Sequence, residues 1–155
     1  MGEINWTPLM VEERIVEAAD VLRRLPEGRV RGYFGVWPEI VHDFADKVGQ
    51  ETQPMRRPPP SAGAISRMDE SLPWMAWLEP TAAKIIWLRA LGKPWKTICW
   101  TVGLQRSTAH VHWLYGLCVI TLHLNRQHVP KRRGRQYVID MVNRSCGAAG
   151  CDPKY

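Results

Sequence analysis

The stretch Pro94–Leu114, PWKTICWTVGLQRSTAHVHWL, constrains the fold more than any other part of the chain. Its grammar is helix, glycine turn, helix. Ile98, Val102 and Leu104 are apolar and spaced to face one core. Gly103 falls where the first helix must stop and the chain must turn, a position that asks for positive φ and so favours glycine. Cys99 lies four residues before it and Ala109 six residues after it. Both are small, as two helices crossing at roughly 90–120° require. Ser107 and Thr108 open the second helix, with Arg106, Ser107, His110 and Val111 on its front. In a helix-turn-helix that second helix enters the major groove of DNA. A buried helical hairpin would share the same spacing.

The distribution of charge narrows the partners. The chain has 155 residues, 45% of them apolar, and a net charge of +6. Residues 1–80 hold nine basic and thirteen acidic side chains, whereas between Glu79 and Asp140 there are ten Lys or Arg and not one Asp or Glu. Ordinary solvated surfaces mix signs. A long cationic window without carboxylates fits a polyanion, and double-stranded DNA above all. The longest apolar run, Val111–Leu124, is interrupted by His112, Gly116 and His123 and is too short for a membrane span. With no basic-then-apolar leader and four scattered cysteines, a cytoplasmic protein with reduced thiols is expected, not associated with membranes.

Along the chain, Thr7-Pro8 reads as an N-cap followed by proline in the first turn. Met10, Ile15, Ala18, Ala19, Leu22 and Leu25 continue an amphipathic helix, stopped by Pro26 and Gly28. Trp37-Pro38 begins a second helix with Ile40, Val41, Phe44, Ala45 and Val48 as its stripe. Pro58-Pro59-Pro60 is extended. Ser61 caps a helix that Pro73 kinks or splits, with Trp74 and Trp77 as core anchors. Thr81–Leu91 supports the helix pair, and the last long helix runs from Ser107 to about Gln127. Beyond Val129-Pro130 come Lys131, Arg132, Arg133 and Arg135, then Tyr137-Val138-Ile139, which reads as a short strand. The expected organisation is all-α. An N-terminal helical region (1–55) and a proline-rich linker (56–60) precede a helix-turn-helix domain (61–128). A basic C-terminal arm with a flexible tail (129–155) follows.

No catalytic constellation emerges. His110 and His112 fall nearly opposite each other on a helix, and His123 and His128 are poorly spaced for a shared metal. Cys146 and Cys151 have no second pair nearby. Carboxylates are concentrated in the N-terminal half without a histidine or serine partner at useful spacing, and no phosphate-cradling glycine loop is present. No metal, no cofactor and no enzymatic activity are expected.

The chain resembles a family of uncharacterised bacterial and prophage proteins of about this length. The segments that carry the resemblance include Trp6-Thr7-Pro8, Arg57-Pro58-Pro59-Pro60-Ser61, Trp77-Leu78-Glu79-Pro80, Pro94-Trp95-Lys96 and Thr108-Ala109-His110 with Trp113. Members carry a C-terminal helix-turn-helix similar to region 4 of sigma factors, which implies DNA binding without naming a target. Such modules usually place arginines just after the position of His110, where this chain has Val111-His112. The expected function is a DNA-binding regulator of prophage or host transcription. Gln105, Arg106, Ser107, His110 and Val111 read bases, while Lys93, Lys96, Lys131, Arg132, Arg133 and Arg135 hold phosphates. Two other readings fit the same residues. One is a DNA-packaging subunit like a phage small terminase, acting as a homo-oligomer beside other packaging proteins. The other is a module docking RNA polymerase. A homodimer with a palindromic footprint favours the regulator, and a higher homo-oligomer closed into a ring favours the packaging subunit.

Overall fold

The computed structural model describes residues 5–25, 58–130 and 132–146. These form α1 (Pro8–Arg24), α2 (Ala62–Ser71), a 3-10 segment (Leu72–Trp77), α3 (Pro80–Ala90), α4 (Trp95–Val102), α5 (Arg106–Leu124) and α6 (Arg135–Ser145), with no strand among the described residues. The protein is all-α. The second helix expected at Trp37–Val48, Arg56-Arg57, Lys131, Cys151 and the tail beyond Cys146 lie outside the described residues.

Helix boundaries follow local chemistry. Thr7 Oγ1 accepts from the backbone N–H of Met10 at 3.3 Å, and Pro8 occupies the first turn. Ser61 Oγ accepts from Ala64 N–H at 3.3 Å. Each bond satisfies a backbone donor that the helix leaves orphaned. Pro73 ends the α-helical ladder, and the chain tightens into the 3-10 segment. At Gly103 the chain takes φ 70° and ψ 27°, and its N–H caps α4 by donating to Cys99 O.

One core joins α1, α3, α4 and α5. Val11, Ile15 and Ala19 from α1 meet Ile85 and Ile86 from α3, Ile98 from α4, and Ala109, Trp113, Leu117 and Ile120 from α5. The N-terminal helix is therefore part of the same packed unit as the helix pair. Asn125, just past α5, fastens the start of the chain by accepting from Trp6 N–H (2.8 Å) and donating to Trp6 O (2.9 Å). Trp74 is buried, with Trp6 set edge-on against it at 5.4 Å. Trp77 differs from its expected core role: it is half-exposed and stacks on His123. Glu17 and Arg67 form an ion pair between α1 and α2. Gly116 lets α3 approach α5 closely, since a Cβ there would lie 2.7 Å from Ile86 Cδ1.

The strand expected at Tyr137–Ile139 is helix. Val138, Ile139 and Val142 are buried on one face of α6, against Cys118 and Leu122 of α5. The tertiary demand for an i, i+1, i+4 stripe overrides the strand preference of a short β-branched run.

Candidate nucleic-acid interface

α4 and α5 are joined by the three residues Gly103, Leu104 and Gln105. Ile98 and Ala109, both fully buried, are the inward contacts of the pair. Gln105, Arg106, Ser107 and Thr108 are exposed at the start of α5. No side chain caps this end and no acidic residue lies in its first turn, so the positive end of the helix dipole is unopposed. Lys93 and Lys96 are exposed around the start of α4.

His110 sits deeper than the first-turn residues. Its ring lies 5.5 Å from Trp95 and 5.3 Å from Trp113, and the two indoles meet edge-on at 5.8 Å. The Arg89 guanidinium covers the other side of Trp95 at 5.3 Å. Burial in this stack, with Arg106 and Arg89 nearby, holds the His110 pKa below the ordinary histidine value, so the ring is neutral at neutral pH. Val111 is half-buried and packs against the α6 cluster, as does Leu114. Beyond its first turn, then, the front of α5 is partly occupied by α6.

α6 also brings cations back along α5. Arg135 lies over the Tyr115 ring at 5.8 Å, while Ser145 and Cys146 line a small cleft with Thr121, Leu122 and Asn125. The two helices thus run in the same direction, joined by a returning loop. At 1.5 Å per residue, Tyr115 lies about 13 Å along the helix from Arg106, close to the width of a DNA major groove. Arg132 and Arg133 are exposed at this end of α6, with Arg133 over Tyr137 at 5.2 Å. Arg135 differs from its neighbours by pairing with Glu79 at 2.9 Å. His112 lies near this pair with its Nδ1 buried and without a hydrogen-bond partner. Burial, reinforced by Arg135, lowers its pKa. Lys93, Lys96, Arg106, Arg132 and Arg133 make no ion pair among the described residues.

Sequence reasoning missed the Arg89–Trp95–His110–Trp113 stack. Its signal was a Trp on each helix of the pair with a histidine one turn before the second. Also missed was the return of the arginine arm toward the start of α5. That return depends on the direction of α6, which local sequence does not encode.

The described residues form an all-α bundle whose helix pair presents a cationic edge without ion pairs among those residues. Residues 23–120 match the family described as a domain of unknown function, DUF6362, and the chain belongs to that family. No curated protein and no solved structure matches the chain. Among the described residues, no helix is long and apolar enough to cross a membrane.

Proposed function

We propose that this chain is a non-enzymatic, double-stranded-DNA-binding helix-turn-helix protein that regulates transcription. The observation that carries the reading is the set of exposed cations, without ion pairs among the described residues, around the starts of α4, α5 and α6. Lys93 and Lys96 flank α4, Arg106 opens α5, and Arg132 and Arg133 approach from the start of α6. The first turn of α5 enters the major groove, where Gln105, Arg106 and Ser107 reach base edges. Lys93, Lys96, Arg132 and Arg133 hold the flanking phosphates, which gives affinity and register but no sequence information. His110 supports this turn from behind, and Val111 seats α6.

The test is selection of bound duplexes from a random pool, followed by salt titration on the preferred site. Four phosphate contacts give a log–log slope of about −3.6, a loss of about 150-fold in affinity between roughly 50 and 200 mM salt. Arg106→Ala should cost about 1–3 kcal/mol on the preferred site and relax one base position. The double variant Arg132→Ala/Arg133→Ala should weaken all duplexes alike and shallow the slope by about two units. Salt-insensitive binding, or no binding at low salt, would refute the reading. Uniform losses from both variants would remove base readout and leave a non-specific binder.

A further inference from the structure

Among the described residues, the most exposed large apolar side chain is Trp100, at 88%. It sits on α4 opposite the inward residues Ile98 and Val102, beside the exposed Lys96, Thr97 and Thr101. A second anomaly lies on α1. Leu9 (51% exposed) and Val16 (43%) share one helix face with the exposed Glu13 between them, at i, i+4 and i+7. α4 packs on α3 and α5 through its other face, and α1 packs on α2, α3 and α5 through its own. Both faces are unpartnered among the described residues.

We propose that these two faces bind each other between copies of this chain. Trp100 of one copy packs across Leu9 and Val16 of the next, and Lys96 meets the Glu13 that lies between them. The patches complement each other in three respects. One offers a single large aromatic anchor, the residue type most often dominant in interfaces. The other offers two aliphatic side chains about two turns apart, with the Glu13 carboxylate between them. Their charges are opposite, as are those of the halves of the chain they belong to: thirteen acids against nine bases in residues 1–80, and no acid between Glu79 and Asp140. Because the patches are different surfaces, the contact is head-to-tail. Such contacts propagate past a dimer into rings or filaments. The anchor buries at most about 250 Å², well short of the roughly 1,200 Å² of a standard stable interface, so association is weak and concentration-dependent. Lys96 holds a phosphate in the DNA complex and Glu13 in this contact, so the two are alternatives for that residue. The test uses no DNA, so either reading can fail alone.

Sedimentation equilibrium of the full chain between roughly 1 µM and 1 mM should show a mass rising beyond the dimer. Trp100→Glu and Val16→Glu should each be monomeric, since each destroys one face. Mixed together, they should form a 1:1 heterodimer that grows no further, because only one intact face of each kind remains. Lys96→Glu and Glu13→Lys should each weaken assembly, and their combination in one chain should restore it. Both apolar positions are exposed, so thermal melts should match wild type; if either variant misfolds, Trp100→Ser and Leu9→Ser repeat the test. A wild-type chain that stays monomeric or stops at dimer overturns the proposal. So does a Trp100→Glu chain that assembles normally, or a mixture that does not associate.

Discussion

Replacing Gly116 by alanine tests the closest helix approach that holds α5 in place. The new Cβ would lie 2.7 Å from Ile86 Cδ1, 3.5 Å from Ala82 Cβ and 3.7 Å from Leu78 Cδ1. The last two are ordinary contacts. The first is about 1 Å short of an optimal carbon–carbon separation, and Ile86 is buried, so its tip has little room to withdraw. Overpacking of this kind costs about 1–3 kcal/mol. Alanine in place of glycine in a helix interior returns about 1 kcal/mol. Gly116→Ala alone should therefore be destabilising by about 0–2 kcal/mol. Ile86→Val removes the offending Cδ1 and by itself should cost about 0.5–1.5 kcal/mol. In the double variant the clash is gone while the helix preference remains, so stability should return to within about 0.5 kcal/mol of wild type. The cycle thus predicts a favourable coupling of about 1–3 kcal/mol, measured by urea unfolding with midpoint and slope fitted separately. Additivity within about 0.5 kcal/mol would refute the packing argument, because it would mean that Gly116 and Ile86 do not share the gap.

Two further perturbations probe the helix pair. Gly103→Ala should destabilise by about 1–2 kcal/mol in urea unfolding, with Gly103→Asn milder, since asparagine tolerates the left-handed region better; equal losses from the two would exclude backbone conformation as the cause. His110 has a folded pKa lowered from the ordinary value, so above about pH 6.5 both states carry it neutral and it adds no pH dependence. As pH falls below that, the unfolded chain takes up the proton first, and stability declines until the folded pKa is passed. His110→Phe should lose less of its urea midpoint than wild type between pH 7.5 and 5.5, and parallel losses would show that the stack does not disfavour the charged ring.

Much of the bundle was legible because its signals are local. Thr7-Pro8 and Ser61 cap the helices they were expected to cap, Pro73 breaks the helix it interrupts, and Gly103 adopts the left-handed turn. What local chemistry does not encode is which faces meet. At Gly103 a Cβ would meet nothing within 4 Å, so the turn needs glycine for its left-handed backbone and not for close packing. The close approach falls instead at Gly116, inside an apolar run where a glycine reads only as a weak point in a helix. Tyr137-Val138-Ile139 has the composition of a strand, and only the buried stripe continuing to Val142 marks it as helix. Trp77 and Trp74 are indistinguishable in sequence, yet the 3-10 geometry turns one inward and the other toward His123.

The same packing accounts for the uncharged pair Val111-His112 on the second helix of the pair. In this chain those positions serve α6: Val111 packs against the cluster built on Val138, Ile139 and Val142, and His112 lies beside the Arg135–Glu79 pair. Arginines there would bury guanidinium groups against an apolar face, which is costly without partners. Positive charge is found instead at the start of α6, where the exposed Arg132 and Arg133 precede the Arg135 that lies over Tyr115. In the proposed complex this placement has a consequence for specificity. Cations on a neighbouring helix can hold phosphates as well as cations on α5 itself, but they do not reach into the groove that α5 enters. Base readout is then confined to the first turn of α5, to Gln105, Arg106 and Ser107, and the preferred site should be defined by only a few base pairs for each bound copy.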